Sequence, residues 1–370
     1  MTPIPLSKAV LPGVPLVESP LFAASLDAMG LDVEERRIAQ QLHAFGFAVI
    51  EFPDPAFEAR AERIKSALAP QFAADFADPE ADKCLGDMRI QDAWRFDEDV
   101  QAIAANPRVL ALLSKLYGRR AFPFQTLNFP VGTQQAAHSD SNHFSSLPER
   151  FMCGVWVALE DVLPDAGPLL YHPGSHKWPI VTNAMVGRSG WGSQVPSAQS
   201  PFEAAWQAMA AAQDSQPELF TPRKGEALIW AANLLHGGSR QTNPRRTRWS
   251  QVTHYYFGDC VYYSPAFSDE PLGRLDLREI VNVATGEIEP NLHQGEEVTR
   301  ASVPPKARAR PERRWWQRRP ETLGADPVSA LPDEFDPDTY LRLNPDIGAA
   351  GEDPFQHWIK HGAIEGRRYR

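Results

Sequence analysis

The apolar residues of the chain follow two different periods, and the change comes near residue 120. Before that point, apolar positions recur at intervals of three and four, which predicts helices over 33–46, 55–69 and 99–117. The uninterrupted apolar run 47–50 predicts a short buried strand between the first two. We therefore expect the first part of the chain to supply helices that flank a sheet.

Beyond residue 120, apolar and aromatic runs alternate with turn-forming residues. These runs predict strands over 122–129, 151–159, 169–171, 227–231 and 248–257. Short strands at this spacing, without regular helices between them, favour a barrel or a two-sheet jelly roll over a parallel α/β sheet. The prediction is a mainly β fold with flanking helices and a jelly-roll, cupin-like core.

The other segments differ from this core in composition. Residues 1–30 are rich in proline and weakly patterned, which predicts an arm over the surface. The main domain is expected over 31–297. A basic linker rich in Pro and Arg follows over 298–333, and a short helical module over 334–370.

One long insertion interrupts the β pattern. It covers residues 183–220, and the apolar spacing within it predicts a helix over 202–212. A break of this length often faces the substrate. The insertion is interpreted either as a lid or as a surface loop, and both interpretations stay open.

Composition excludes several classes of protein. A chain of 370 residues with 43% hydrophobic residues and ten Trp can bury a sizeable core. No run of about 20 apolar residues is available for a transmembrane helix, and the N-terminus lacks the pattern of a secretory signal. The three widely spaced cysteines indicate neither a disulfide framework nor a zinc site, so a cytoplasmic location is expected.

The distribution of charge limits the partners. A net charge of −10 argues against nucleic-acid binding. The charge is uneven, because residues 300–320 hold eight Lys or Arg against one Glu. The basic and aromatic segment 313–319 is interpreted either as a contact with an anionic membrane surface or as a contact with the acidic body of the protein.

The candidate chemistry centres on two histidines and one carboxylate. His138 and Asp140 are two positions apart, so on a strand both side chains point to the same face. His236 ends an apolar run and precedes two glycines, which allow another backbone to approach closely. The three residues could form the metal-binding set of non-heme Fe(II) oxygenases. The alternatives are a surface turn for the first pair and a core position for His236.

Arg248 is the candidate for binding an anionic co-substrate. It opens an apolar strand, where an unpaired charge is costly, and its planar guanidinium matches a carboxylate. Gln125 and Asn128 lie on the strand before His138 and are candidates to bind co-substrate or substrate, with a strand-edge position as the alternative. Further pocket candidates, each with packing or a loop position as the alternative, are His143, Phe144, Trp156 and Trp230. His254 and Cys153 are expected to pack within their strands.

Six motifs follow one another within residues 33–290. They are His138-Ser139-Asp140, the segment 154–161, Ala166-Gly167-Pro168-Leu169, Pro173-Gly174-Ser175-His176-Lys177, His236-Gly237-Gly238 and Arg248. In this order they resemble the phytanoyl-CoA dioxygenase family of Fe(II)/2-oxoglutarate oxygenases, which fold as a double-stranded β-helix. The stretch from the tryptophan strand to Pro-Gly-Ser-His is the most specific part.

The resemblance implies the cofactors and the reaction. His138, Asp140 and His236 would hold Fe(II), Arg248 would pair with the distal carboxylate of 2-oxoglutarate, and O2 would take the remaining position. The reaction would hydroxylate an unactivated C–H bond and release succinate and CO2. Asp140 favours hydroxylation over halogenation, because related halogenases carry a small residue in its place.

The tail resembles a second module. The segments 336–341 and 344–346, with His357-Trp358, resemble a small C-terminal module of bacterial proteins linked to surface glycans or glycosyltransferases. Asp338 and Asp353 are predicted to cap its helices. The module is interpreted either as a protein-docking element or as a packing appendage.

The sequence therefore predicts a hydroxylase of a small molecule, either lipid-like or a glycan precursor. The alternatives are a non-catalytic carbohydrate-binding jelly roll and a cupin-type metalloenzyme that does not use 2-oxoglutarate. The metal-binding set together with Arg248 argues against a pure binding protein. The sequence specifies neither the substrate, nor the oxidised position, nor the oligomeric state.

Overall fold

The computed structural model describes residues 10–86, 88–190, 200–299, 335–344, 354 and 358. The chain divides into two compact units, Met1–Arg308 and Ala309–Arg370. None of the helices in these described ranges is long and apolar enough to cross a membrane.

The first unit is mainly β, with helices concentrated before residue 120. Its strands are β1 (Phe47–Glu51), β2 (Ile90–Gln91), β3 (Ala121–Phe129), β4 (Ser145–Leu147), β5 (Met152–Ala158), β6 (Leu169–Tyr171), β7 (Glu218–Phe220), β8 (Glu226–Ala231), β9 (His236–Gly238), β10 (Ser250–Phe257), β11 (Val261–Tyr263), β12 (Ile280–Val281), β13 (Ile288–Glu289), β14 (Leu292–His293) and β15 (Glu296–Glu297). Its helices are α1 (Phe22–Ser25), α2 (Val33–Phe45), α3 (Phe57–Leu68), α4 (Glu98–Ala104), α5 (Pro107–Tyr117) and α6 (Ser200–Ala212). The predicted strands and most of the predicted helices are confirmed to within two residues.

Two antiparallel sheets carry the core of this unit. The larger sheet has the order β1-β8-β5-β10-β3-β2, and the smaller one has the order β7-β6-β9. Trp156 and Trp230 from the larger sheet pack with Leu169, Tyr171 and Phe220 from the smaller one. The inner faces of the two sheets thus meet in one apolar cluster, as in a jelly roll.

The predicted helix 99–117 is wrong in one respect, because it is two helices. The first ends at Ala104, and Asn106 caps the second, where its side chain accepts hydrogen bonds from the backbone N–H groups of Arg108 and Val109. Pro107 takes the first position of α5, where its missing N–H costs nothing. Proline therefore starts a new helix here instead of continuing the old one.

The described part of the N-terminal segment contributes to the core. Val17, Phe22 and Leu26 are buried. The ring of Phe22 stacks on His43 of α2 at 4.2 Å between centroids, and the Val17 carbonyl lies 2.8 Å from Nδ1 of the same histidine. The predicted arm therefore inserts these three apolar side chains into the first unit.

The described parts of the insertion 183–220 are anchored to the first unit. The Asn183 amide donates hydrogen bonds to the carbonyls of Pro265 and Ser268. Trp206 of α6 packs in a buried cluster with Leu235, next to the candidate ligand His236. Residues 191–199 lie outside the described residues, so the choice between a lid and a surface loop stays open.

In the second unit, α7 (Pro337–Leu343) has its cap two residues earlier than predicted. Asp336, and not Asp338, is the cap, since its side chain accepts the hydrogen bond of the Thr339 N–H at 2.6 Å. Pro337 follows at the first helical position. Aromatic rings of Phe335, Tyr340 and Trp358 contact one another. The segment 313–319 and Asp353 lie outside the described residues.

Candidate active site

Backbone pairing brings the two candidate histidines together. The His138 N–H donates to the His236 carbonyl at 2.8 Å, and the His236 N–H donates to the His138 carbonyl at 2.9 Å. This bridge places residues 98 positions apart side by side, with ring centroids 4.5 Å apart. Asp140 begins the short 3-10 turn Asp140–Asn142 directly after it. The H-x-D spacing and one long-range bridge thus assemble the three side chains.

Each histidine is held in the tautomer that suits a metal ligand. Nδ1 of His138 lies 2.9 Å from the Ala136 carbonyl, and Nδ1 of His236 lies 2.9 Å from the Leu234 carbonyl. Because a carbonyl only accepts, Nδ1 carries the proton in both rings and Nε2 keeps its lone pair. Both Nε2 atoms face Asp140, at 3.8 Å from Oδ1 and 3.7 Å from Oδ2 respectively.

The protonation states also suit a cation. All three side chains are buried, and one possible ligand atom from each lies within 4.8 Å of the others. Burial, together with nearby His236, lowers the pKa of His138 to about 3. Burial raises the pKa of Asp140, but the neighbouring histidines and a hydrogen bond from Trp230 outweigh this and hold it at about 2. The site therefore offers a neutral imidazole at His138 and an anionic carboxylate, which fit a divalent cation.

Two aromatic side chains around Asp140 have contacts that the sequence analysis did not predict. The indole N–H of Trp230 donates to Oδ2 of Asp140 at 2.9 Å. Nε2 of His254 lies 3.7 Å from the same oxygen, and its Nδ1 is 3.0 Å from Oε1 of Gln125. His254 is packed within β10 as expected, yet it also faces the site. The sequence signal for this position is weak: His254 is two residues from Val252 on β10, so both side chains point to the same face, and Val252 also lines the cavity.

Arg248 lines the same cavity and has no anionic partner among the described residues. It is 2% exposed, and its Nη1 donates to the Gly167 carbonyl at 2.9 Å. Its Nε has no hydrogen-bond partner, and no carboxylate of the described residues forms an ion pair with it. The guanidinium lies 5.6 Å from the ring of Trp156, whose buried Nε1 also lacks a partner. Burial lowers the pKa of Arg248 to about 10.

A cavity of about 320 Å³ joins these groups. It is lined by the three candidate metal ligands, Arg248 and Gln125, and also by His143, Phe144, Trp156 and Trp230. The structure thus brings five of the six predicted site residues to one cavity.

Asn128 is the exception, because it does not line the cavity. Gln125, Leu127 and Phe129 line the cavity, whereas Asn128 does not. Its Nδ2 donates to Oε1 of Gln251 at 3.3 Å. The physical reason is the alternation of side chains along β3, which sends residues three positions apart to opposite faces.

The Pro-Gly-Ser-His motif supports the site without entering it. Oγ of Ser175 accepts the hydrogen bond of the Leu235 N–H at 2.8 Å, directly before His236. His176 is buried, and its Nε2 lies 3.3 Å from the His43 carbonyl. The motif therefore fixes the backbone that leads into the second histidine.

The comparisons with known proteins define the class. The model of the phytanoyl-CoA dioxygenase family matches residues 36–248, and the chain belongs to this family. A phytanoyl-CoA dioxygenase domain-containing protein 1 from Danio rerio is 27% identical over 138 residues, which are 36% of this chain and 43% of that relative. The chain is therefore similar to less than half of the relative's length.

Solved structures show similarity in fold. The non-heme alpha ketoglutarate dependent carbocyclase SnoK from nogalamycin biosynthesis aligns with a TM-score of 0.50 and 17% identity, over 69% of this chain and 95% of that one. EctD from S. alaskensis, solved with 2-oxoglutarate and 5-hydroxyectoine, aligns with a TM-score of 0.49 and 20% identity, over 72% and 87% of the two chains. The similarity to SnoK supports the same mainly β fold.

Proposed function

We propose that the protein is an Fe(II)- and 2-oxoglutarate-dependent oxygenase that hydroxylates a C–H bond of a small molecule. One observation carries the proposal. A buried set of two imidazoles and a carboxylate shares a cavity with a buried arginine that has no anionic partner among the described residues. A metal alone would account for the first group, and an anionic co-substrate accounts for the second.

His138, Asp140 and His236 would hold the metal. Two imidazoles and one carboxylate are the donor set of non-heme Fe(II) oxygenases, and they leave positions free for other ligands. Iron held there would supply O2 activation coupled to the conversion of 2-oxoglutarate to succinate and CO2, with one oxygen atom entering the substrate as a hydroxyl. The fixed Nδ1 protons keep both Nε2 atoms directed at the metal position.

Arg248 would bind the distal carboxylate of 2-oxoglutarate. Its unpartnered Nε and the unpartnered Nε1 of Trp156 are buried donors on the wall of one cavity. Buried donors without acceptors are costly, and a carboxylate would satisfy both. Trp156 is therefore proposed as a second contact of the co-substrate, beyond the packing role that the sequence suggested.

We further propose that the substrate carries a negative charge. Gln91 of the edge strand β2 and Arg89, which directly precedes that strand, both line the cavity. Arg89 is exposed and forms no ion pair with the described residues. An arginine at a cavity mouth in a chain of net charge −10 would attract a carboxylate or phosphate. Anionic lipid-like molecules and sugar phosphates, as glycan precursors, would both satisfy this requirement.

The test is an anaerobic titration with Fe(II) and 2-oxoglutarate, followed by the visible charge-transfer band of the chelate. The wild type should show the band, His138→Ala should lose it, and Arg248→Met should require far more 2-oxoglutarate. Arg246→Met is the matched control, because Arg246 is exposed and pairs with Asp165 at 3.4 Å outside the cavity.

The same titration separates the alternatives. No band in a folded wild-type protein would overturn the proposal and favour a carbohydrate-binding jelly roll. A metal that binds at the triad without any response to 2-oxoglutarate would favour a cupin-type enzyme.

If the band forms, a screen for compounds that increase succinate release tests the charge of the substrate. It should find acids that are turned over faster than their methyl esters. Equal turnover of the two would remove the charge requirement.

A further inference from the structure

The two oxygens of Asp140 have different surroundings. Oδ2 accepts the indole N–H of Trp230 at 2.9 Å, and it lies 3.7 Å from Nε2 of His254 and 3.7 Å from Nε2 of His236. Oδ1 accepts no hydrogen bond from the described residues, and it is the carboxylate oxygen closer to Nε2 of His138. Of the two oxygens, only Oδ2 therefore accepts a hydrogen bond from the described residues.

The Trp230 side chain is enclosed by the groups around it. It is 2% exposed, and its ring packs on His236 at 5.0 Å and edge-on against His254 at 6.0 Å. Gly154 pairs with Trp230 across β5 and β8, and a Cβ at residue 154 would overlap the indole ring. The ring needs the space that this glycine provides, so the direction of the N–H is set by the packing of the sheet.

His254 limits the other side of Oδ2. Its Nδ1 is 3.0 Å from Oε1 of Gln125, which fixes the plane of the ring. Phe144 packs on the same imidazole at 5.1 Å between centroids. A rotation of the Asp140 carboxylate that moves the oxygen at this position away from the indole would break the hydrogen bond to Trp230.

We propose that Trp230 is a positioning residue of the metal site. It retains Oδ2 of Asp140 and thereby presents Oδ1 as a single-oxygen ligand. This inference rests on the proposed function, because it assigns a role towards the metal at His138, Asp140 and His236. A carboxylate that binds through one oxygen keeps a coordination position free that a two-oxygen mode would occupy. Trp230 would thus preserve the space that the co-substrate and O2 require.

The test compares two tryptophans of the same cavity. Trp230→Phe removes the N–H bound to Asp140, whereas Trp156→Phe removes an N–H that has no partner. Both rings are buried, at 2% and 1% exposure, and both substitutions remove the same atoms. Co(II) is titrated into each protein without 2-oxoglutarate, so that the proposed contact of Trp156 with the co-substrate does not contribute.

We expect Trp230→Phe to weaken Co(II) binding about 10- to 100-fold, the usual effect of losing a partner of a metal ligand. Trp156→Phe should bind Co(II) like the wild type. Unfolding in urea establishes that both variants are folded under the conditions of the titration. Equal Co(II) affinity in Trp230→Phe and Trp156→Phe would overturn the role of Trp230.

A second readout does not depend on affinity. Zn(II) is titrated into ¹⁵N-labelled protein, and the two indole N–H resonances are assigned by their loss in the two variants. The Trp230 resonance should shift as Zn(II) binds, because the charge on its acceptor changes, and the Trp156 resonance should stay. An unmoved Trp230 resonance with bound Zn(II) contradicts the inference alone. A wild type that binds neither Zn(II) nor Co(II) overturns the proposed function as well.

Discussion

Two parts of the cavity lining differ in how their buried polar atoms are satisfied. We call them the triad end (His138, Asp140 and His236, with the neighbouring His254) and the Arg248 end (Arg248 and Trp156). At the triad end, both Nδ1 atoms, Oδ2 of Asp140 and Nδ1 of His254 have partners within 3.0 Å. At the Arg248 end, Nε of Arg248 and Nε1 of Trp156 have no partner among the described residues. The hydrogen bonds at the triad end are formed before any ligand binds, whereas the donors at the Arg248 end still need an acceptor. The first arrangement favours a resident cation, and the second favours an anion that enters and leaves.

The largest expected effect comes from removing the unpaired charge. Arg248→Met keeps the approximate volume, and it should weaken 2-oxoglutarate binding by about 3–5 kcal/mol, since a charge buried in the complex loses its partner. Without ligands, the free energy of unfolding of Arg248→Met should equal or exceed that of the wild type, because the variant no longer buries a charge on folding. Calorimetric titration and urea unfolding measure the two quantities. A large loss of ligand-free stability would show that Arg248 is structural.

Metal binding should stabilise the fold through the triad end. Co(II) at about 100 times its dissociation constant should raise the free energy of unfolding by about 2.7 kcal/mol, because only the folded chain assembles the site. His138→Ala should lose this increase, while Arg248→Met should keep it. Urea unfolding with Co(II) and after chelation with EDTA gives both values. The same increase in His138→Ala would place the ion elsewhere.

Acid should destabilise the triad end in the metal-free protein. Burial lowers the pKa of His254 from 6.5 to about 4, although the negative charge of Asp140 acts in the opposite direction. The unfolded chain therefore takes up this proton first, so the stability is complete above 6.5 and is lost as the pH falls towards 4. Because of His254 alone, the free energy of unfolding should fall by about 2 kcal/mol between about pH 7 and about pH 5. His254→Phe should flatten the pH dependence of urea unfolding by that amount, and an unchanged slope would contradict it.

The smallest effect is expected at Asn128, which lies on the far face of β3. Asn128→Ala should leave the affinities for Co(II) and 2-oxoglutarate unchanged. It should lower the free energy of unfolding by about 1 kcal/mol, because the hydrogen bond to Gln251 is lost. The pair of titrations used for Arg248→Met measures this. A clear fall in 2-oxoglutarate affinity would show that Asn128 contributes to binding the co-substrate.

Part of the fold follows directly from local patterns. Apolar runs predicted the strands of the core because a strand buried on both faces needs an uninterrupted apolar sequence. The single helix over 99–117 failed because the apolar period continues across Pro107, although proline must begin a new helix there. The cap at Asp336 was missed in favour of Asp338, since both positions offer a carboxylate before an apolar run.

The sequence by itself determined which chemical groups are available: a histidine and a carboxylate two positions apart, a second histidine before two glycines, and one arginine at the start of a strand. Tertiary structure decided how these groups are used. The bridge from His138 to His236 and the hydrogen bond from Trp230 to Asp140 join residues about 90 to 100 positions apart. The physical reason is that residue type and short spacing are local properties, whereas pairing across the sheets and the exclusion of water depend on the whole chain.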